Sequence, residues 1–185
     1  MTVHTPATEL HACAIVADAA ARRAPLALVG SGTKAEIGRP AQSEATLSSS
    51  ALTGITLYEP AELVIAARAG TPVSEVVRTL ADKGQQLPFE PADHRGLLGS
   101  TGEPTIGAVV AANISGPRRI MAGAARDSLI GVRFVNGRGE AIKSGGRAQP
   151  GADVCGSVIA VNLMAWPGDP RLPRQRRGCP AKGRA

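Results

Sequence analysis

A glycine-rich loop carries residues whose types and spacing are suited to binding a phosphate group. The motif VGSGTK follows a short apolar stretch, and its candidate ligand residues are Gly30, Ser31, Gly32, Thr33 and Lys34. The two glycines permit positive φ and let a ligand approach the backbone closely. Successive free N–H groups in such a turn form an anion-binding nest, to which a hydroxyl and an ammonium group add further attraction. The alternative is a tight turn after a strand, with no ligand.

The same loop also matches the dinucleotide-binding pattern G-x-G-x-x-A. That pattern requires a helix to begin inside it, so that the helix N-terminus faces the pyrophosphate. Here Gly38-Arg39-Pro40 interrupts any such helix. A Rossmann-like nucleotide-binding module is therefore the weaker alternative.

A second candidate ligand surface is the small-residue segment, residues 105–131, in which 12 of 27 residues are Gly, Ala or Ser. Small side chains let backbone amides approach a flat, bulky partner. A larger side chain at Gly107 is then expected to meet the ligand rather than the protein. The hydroxyls of Thr105 and Ser115 and the amide of Asn113 can donate hydrogen bonds. Close helix packing is the alternative, because Ala and Gly serve it equally well.

Short elements are predicted to position these two segments. Thr5-Pro6 predicts the start of a helix that runs to about residue 23. Its inward-facing candidates are Leu10, Cys13, Ile15, Val16 and Ala20. A second helix is predicted to open at Thr71-Pro72 and close at Gly84, and a third, short one to span residues 105–113.

The predicted strands are short, and one pair forms a hairpin. They cover residues 26–29, 45–48, 54–58, 63–68 and 128–134, with a turn at Asn136-Gly137 before a partner at 140–143. Residues 88–104 are predicted to be loop. The fold class is therefore α+β with mostly short strands.

Composition excludes several classes of protein. Residues 1–147 carry a net charge of only +2, so the body of the chain lacks the basic signature of a nucleic-acid-binding protein. The three cysteines are far apart and form no CxxC motif, so neither a metal site nor a disulfide framework is predicted. No apolar run approaches the ~18 residues of a membrane span. We expect a cytoplasmic protein that is at most peripheral to the inner membrane.

Taken together, the quoted segments resemble one family. GSGTKAEIGRP, YEPAELVIAARAGTP, LPFEP, LLGSTGEPTIGAVVAANISGPRR, AGAARDSLIGVRFVNGRGE and KSGGR follow in order over about residues 10–147. They resemble FAD-binding domains of the vanillyl-alcohol-oxidase, or PCMH, type, and among these the E-type subunits of bacterial glycolate oxidases. The resemblance implies a PCMH-type fold, FAD as cofactor, and a complex with other flavin and iron–sulfur subunits.

The resemblance also implies which residues contact the cofactor. Residues 30–34 would bind the FAD pyrophosphate, and the small-residue segment would line the flavin and diphosphate. The members of that second set are Thr105, Ile106, Gly107, Ala108, Asn113, Ser115, Gly116, Gly123, Arg126 and Asp127. Asp127 is expected to hold Arg126 or a loop amide rather than to perform chemistry. Ala108 replaces the usual glycine, and the surroundings of His94 do not match a covalent flavin site.

The end of the chain departs from the family pattern. Residues 148–185 contain a run of arginines and several prolines where a helix and a strand are expected. We therefore expect an FAD-binding domain over residues 1–147, lacking its last strand, followed by a disordered basic tail. The tail could be a frameshift product, since one possible coding sequence for GDPRLP, when read one base later, gives the family motif G-T-L-G. The cap domain of the family would be missing, leaving either an inactive FAD-binding fragment of a 2-hydroxy-acid (glycolate) oxidase or a remnant without flavin.

Overall fold

The structure, a computed structural model, describes residues 2–145, 158–162 and 164–165. The helices within these ranges are α1 (Glu9–Arg22), α2 (Val73–Ala81), α3 (Arg95–Leu98), α4 (Ile106–Ala112) and α5 (Arg119–Ala122). The strands are β1 (Thr2–His4), β2 (Leu26–Val29), β3 (Ala45–Ser48), β4 (Ile55–Glu59), β5 (Val64–Arg68), β6 (Gln85–Gln86), β7 (Leu129–Val135), β8 (Ala141–Gly145), β9 (Val158–Asn162) and β10 (Met164–Ala165). The α+β class and the predicted short strands are confirmed.

A three-stranded parallel sheet, in the order β1-β3-β2, forms one side of the molecule. Helix α1 connects β1 to β2. It begins after Thr8, whose hydroxyl accepts a hydrogen bond from the His11 N–H, so the predicted start at Thr5-Pro6 is wrong. The cap at Thr8 is favoured because its side chain satisfies one of the otherwise free N–H groups of the first turn.

The inward face of α1 is built from smaller side chains than predicted. Ala12 and Ala19 are buried, whereas Leu10 is 82% exposed and Ala20 is also exposed. Cys13, Ile15 and Val16 are half-buried, and burial raises the pKa of the Cys13 thiol. Alanine on the buried stripe allows the helix to lie close to its neighbours.

A five-stranded antiparallel sheet, in the order β4-β5-β9-β7-β8, forms the second part of the fold. Strand β9 lies between β5 and β7, near the middle of this sheet. Val158–Asn162, which forms β9, comes from the stretch that was expected to be a disordered tail. The remaining residues beyond 145, except 164–165, lie outside those described.

The core is aliphatic and lies between this sheet and helices α2 and α4. Its buried members include Ile65, Val76, Leu80, Ile106 and Val109. Phe89 is the one aromatic residue among the buried core residues that the structure describes. With so few aromatic side chains, the packing depends on branched aliphatic and alanine residues on facing elements.

Two close contacts join α1 to the β7–β8 hairpin. The carboxylate of Glu9 accepts two hydrogen bonds from the Arg133 guanidinium, at 2.8 and 2.6 Å, although Glu9 is only 6% exposed. A side chain added at Gly139 would lie 2.6 Å from the carbonyl oxygen of Cys13. The two parts of the fold therefore meet along α1.

Candidate functional site

A cavity of about 840 Å³ lies between the parallel sheet, α1, α4 and the β7–β8 hairpin. The glycine loop (residues 30–34) and the small-residue helix α4 both contribute to its wall. The predicted site residues that line it are Gly30, Ser31, Gly32, Thr33, Lys34, Gly107 and Ala108. Its volume falls in the range of small-molecule sites, which are concave and mostly apolar with a few polar groups.

The glycine loop presents a run of free backbone donors to this cavity. None of the N–H groups of residues 31–34 donates to an acceptor in the described part of the chain. Gly32 adopts φ +80°, where a side chain is strained. The loop turns back on itself through hydrogen bonds from Ala35 N–H to Gly32 O and from Ile37 N–H to Lys34 O, each 3.1 Å long. Such a run of N–H groups is the geometry of an anion nest.

No helix begins in or after the glycine loop between residues 30 and 44, all of which are described. A Rossmann-like site needs a helix N-terminus at this point. The Rossmann alternative is therefore wrong, because turns and bends replace that helix up to Gly38, whose φ is +96°.

The start of α4 lies directly against the glycine loop. A side chain on Gly30 would overlap the hydroxyl of Thr105, and Ala108 Cβ would be 3.5 Å from it. Thr105 is buried and caps α4 by accepting a hydrogen bond from Ala108 N–H at 3.4 Å. The tertiary structure thus brings together two segments that are about 70 residues apart in the sequence.

Gly107 is small for a different reason from the predicted one. A Cβ at this position would lie 2.6 Å from both the Cβ and the carbonyl oxygen of Ala69. The Gly107 N–H also donates to that carbonyl, at 2.8 Å. The expectation that a larger side chain at Gly107 would meet the ligand is therefore wrong: it would meet the backbone after β5. The packing alternative applies at this position.

Among the described residues that line the cavity, Lys34 is the one that carries a charge. Burial lowers the pKa of its ammonium group, and the nearby carboxylate of Asp93 partly opposes that shift. A half-buried cation that has lost part of its hydration gains from an anionic ligand. The charge of the cavity wall therefore favours an anion beside the loop.

Other predicted residues of the small-residue segment hold the local backbone and do not line the cavity. Asn113 ends α4 at φ +46°, and its side-chain oxygen accepts a hydrogen bond from Arg126 N–H at 3.2 Å. Asp127 accepts from Ala124 N–H at 2.8 Å, and this bond lowers the pKa of its carboxyl group. Asp127 thus holds a loop amide, as expected. Gly123, at φ +82°, provides the turn before it.

Ser115 and Gly116 form a separate corner with the segment before α3. Gly116 N–H donates to Glu90 O at 2.9 Å, and Ser115 pairs with Pro91 in an isolated antiparallel β-bridge. Within the described residues the Ser115 hydroxyl and His94 Nδ1 are buried without a hydrogen-bond partner. Buried polar atoms are nearly always paired in folded proteins, so these two atoms are exceptions within the described residues.

Two further findings concern the residues that were predicted to contact the cofactor. The Ile106 side chain is 2% exposed in the core, so it offers no side-chain contact to the cavity. Lining residues that were not predicted include Ser48, Ser49, Ala111, Asn136 and Gly137. Only Ala111 carried a signal, since it lies in the small-residue segment. The turn at Asn136-Gly137 was predicted, but no local motif indicates that this turn and the strand end at Ser48 pack against the cavity.

A search against known protein families supplies the identification. The profile of the family described as "FAD binding domain" matches residues 2–145. The chain belongs to this FAD-binding family. The match thus covers both candidate segments and every described strand except β9 and β10, and the family implies FAD as the cofactor.

Among proteins of known function, the domain is similar to "Glycolate oxidase subunit GlcE" from Escherichia coli (strain K12). The two are 41% identical over 124 residues, which are 67% of this chain and 33% of the relative. The chain thus spans about a third of the length of that relative.

Solved structures show the same fold at low sequence identity. An alkyldihydroxyacetonephosphate synthase superposes with a TM-score of 0.66 at 16% identity, over 88% of this chain and 31% of that one. A variant of Phl p 4 described as a glucose oxidase gives a TM-score of 0.66 at 12% identity, over 88% and 34%. These neighbours support the PCMH-type fold.

The residues of this FAD-binding domain fit the cofactor that its family implies. The free N–H groups of residues 31–34 and the Lys34 ammonium match an anionic diphosphate, and the apolar walls match flat rings. No cluster of metal-binding side chains occurs in the part of the chain that the structure describes. In the same part, no helix is both long and apolar enough to cross a membrane.

Proposed function

We propose that the glycine loop binds the diphosphate of FAD and that the adjoining cavity holds part of the cofactor against α4. The observation that carries this proposal is the run of unpaired N–H groups in residues 31–34 at the cavity wall. Gly107 and Ala108 bring the start of α4 to the same wall, and the buried Thr105 caps that helix. Asn113, Ser115, Gly116, Gly123, Arg126 and Asp127 would shape the next part of the site through the backbone contacts described above.

We further propose that the domain belongs to an oxidoreductase subunit acting on a 2-hydroxy acid such as glycolate. The 41% identity to "Glycolate oxidase subunit GlcE" supports this class of reaction. FAD, when bound, accepts the electrons of such an oxidation. The chain's own residues hold the cofactor and exclude water on one side of it.

The described cavity supplies no group that could take the substrate proton. Its lining contains neither histidine nor carboxylate, and its one cation, Lys34, lies at the phosphate end. Oxidation of a 2-hydroxy acid needs a substrate held at the flavin with a base within reach. We therefore propose that this chain alone binds FAD without turning over glycolate, and that a cap domain and partner flavin and iron–sulfur subunits complete the site. Such a complex would be cytoplasmic or peripheral to the inner membrane.

Purification of the chain with added FAD tests both proposals. We expect flavin absorption bands that stay with the protein through gel filtration, and no dye reduction with glycolate or lactate. Protein that retains no flavin would contradict the proposed cofactor site. Steady turnover in the FAD-loaded chain would show that its own residues suffice for catalysis.

Substitution of Lys34 is expected to change both the strength and the pH dependence of FAD binding. The phosphate binds the protonated amine, so affinity should fall as the pH rises through the pKa of Lys34. Because burial lowers that pKa, the fall begins at a lower pH than for an exposed lysine. Lys34→Met should weaken binding at neutral pH about tenfold, as expected for one lost charge-assisted bond, and should remove this fall.

Flavin fluorescence titrations of both proteins from neutral to alkaline pH measure the effect. The flavin's own ionisation is common to both proteins and cancels in the comparison. Lys83→Met is the control, since Lys83 is exposed and outside the cavity. Parallel affinity curves for the parent and Lys34→Met would contradict the assignment of Lys34 to the phosphate.

A further inference from the structure

Residues 93–104, here called the brace, lie against the glycine loop. The Ser31 hydroxyl donates to the carbonyl oxygen of Glu103, and the Ser100 hydroxyl donates to that of Thr33, at 3.2 Å. No residue of the brace lines the cavity. The brace therefore engages the loop through hydroxyls and carbonyls, and none of the N–H groups of residues 31–34 donates to it.

The two backbones are almost in contact. A Cβ added to Gly102 would lie 2.7 Å from the carbonyl oxygen of Ser31. At this separation there is no room for a side chain between the brace and the loop. A displacement of the brace must therefore release or distort the loop, and the spacing of its N–H groups with it.

One guanidinium group ties the two ends of the brace together. Arg95 contacts Asp93 at 2.8 Å and Glu103 at 2.9 Å, using different nitrogens. Glu103 also accepts a hydrogen bond from the Ser74 hydroxyl at 3.0 Å, which anchors the brace to α2. Arg95 thus closes a bridge across the segment that supports the glycine loop.

We propose that Arg95 is a positioning residue for the cofactor: by bridging Asp93 and Glu103 it holds the brace, keeps the glycine loop in its anion-binding conformation and prolongs the lifetime of bound FAD. This inference rests on the proposed role of the loop in binding the diphosphate. Arg95 itself touches neither the cavity nor the loop in the described contacts.

Charge balance reinforces the same role. Asp93 is the carboxylate that acts on Lys34. With Arg95 bound to it, the Asp93 carboxylate attracts the Lys34 ammonium group less strongly. It also repels an incoming phosphate less strongly. Removal of the guanidinium would both loosen the brace and place an uncompensated carboxylate near the anion site.

Arg95→Ala tests the proposal, with Arg22→Ala as the matched control. Arg22 also bridges two carboxylates, Asp18 at 2.9 Å and Glu44 at 2.8 Å, but it lies outside the brace. Both bridges are largely at the surface, where such pairs contribute little to global stability, so both variants should melt close to the parent. We expect FAD to dissociate about fivefold faster from Arg95→Ala and at the parental rate from Arg22→Ala.

Amide hydrogen exchange of the FAD-free proteins gives a readout that does not depend on the cofactor. The amides of Ala35 and Ile37, which donate to Gly32 O and Lys34 O within the loop turn, should exchange faster in Arg95→Ala than in the parent or in Arg22→Ala. Arg95→Lys separates bridging from charge, because lysine keeps the charge but lacks the forked donors. It should recover the parental dissociation rate only in part, and complete recovery would overturn the bridging role.

Parental dissociation rates and parental exchange in Arg95→Ala would overturn the brace. Failure of the parent to bind FAD would instead contradict the proposed cofactor site.

Discussion

Gly32→Val should abolish retention of FAD while the protein remains folded. Gly32 has φ +80° and no atom within 4 Å of the position of a Cβ, so a side chain meets backbone strain rather than a clash. Valine resists this conformation, at a cost of about 1–2 kcal/mol, and the loop should relax to negative φ. The N–H groups of residues 31–34 then no longer converge, and the loss of two bonds to a charged group corresponds to about 100-fold in affinity or more.

Gly84→Val is the matched control for this experiment. Gly84 has φ +64° and also has no atom within 4 Å of a Cβ, but it follows α2 and lies outside the cavity. Both variants should lose similar stability in thermal melts, and only Gly32→Val should lose flavin on gel filtration. Retention of FAD by folded Gly32→Val would remove the glycine loop from the cofactor site.

Gly107→Leu should unfold or strongly destabilise the domain in the absence of any cofactor. The new side chain would start 2.6 Å from the carbonyl oxygen of Ala69 and 2.9 Å from its Cα, and backbone atoms cannot move aside as a flexible side chain can. The hydrogen bond from Gly107 N–H to Ala69 O would be displaced as well. Overpacking of this kind costs about 3 kcal/mol, which thermal melts of FAD-free protein would measure.

Ala111→Leu separates packing from ligand binding on the same helix. Ala111 is exposed and lines the cavity, so a leucine there occupies ligand space and not the core. Its thermal stability without FAD should match that of the parent, because leucine and alanine are both good helix formers, whereas its FAD affinity should fall. A Gly107→Leu protein with parental stability but no FAD binding would restore the idea that Gly107 faces the ligand.

Short-range patterns account for what could be predicted from the sequence. Strands β2, β3, β4, β5 and β7 and helix α4 were predicted to within a residue or two, because alternation, caps and turn residues act over a few neighbouring positions. The glycine loop was found for the same reason, since its free N–H groups depend on the local conformation that glycine allows. The FAD-binding family followed from several such segments occurring in one order.

The start of α1 shows where local signals compete. Thr5-Pro6 and Thr8 are both acceptable helix starts, and Thr8 is the one used. The predicted inward positions of Leu10 and Ala20 were also wrong, because long-range packing decides which face of a helix is buried. One such long-range contact at the start of α1 is the Glu9–Arg133 pair, whose members are 124 residues apart in the sequence.

Only the tertiary structure decided the role of each residue at the candidate site. Gly107 and Ala111 belong to one run of small residues, yet one faces the backbone of Ala69 and the other faces the cavity. The brace likewise reaches the glycine loop from a distant part of the chain. Strand β9 joins the five-stranded sheet in the same way. The sequence by itself determined which segments could approach a cofactor, since small residues and free N–H groups are local properties. Which surface each segment meets depends on long-range packing, and no pattern of neighbouring residues encodes it.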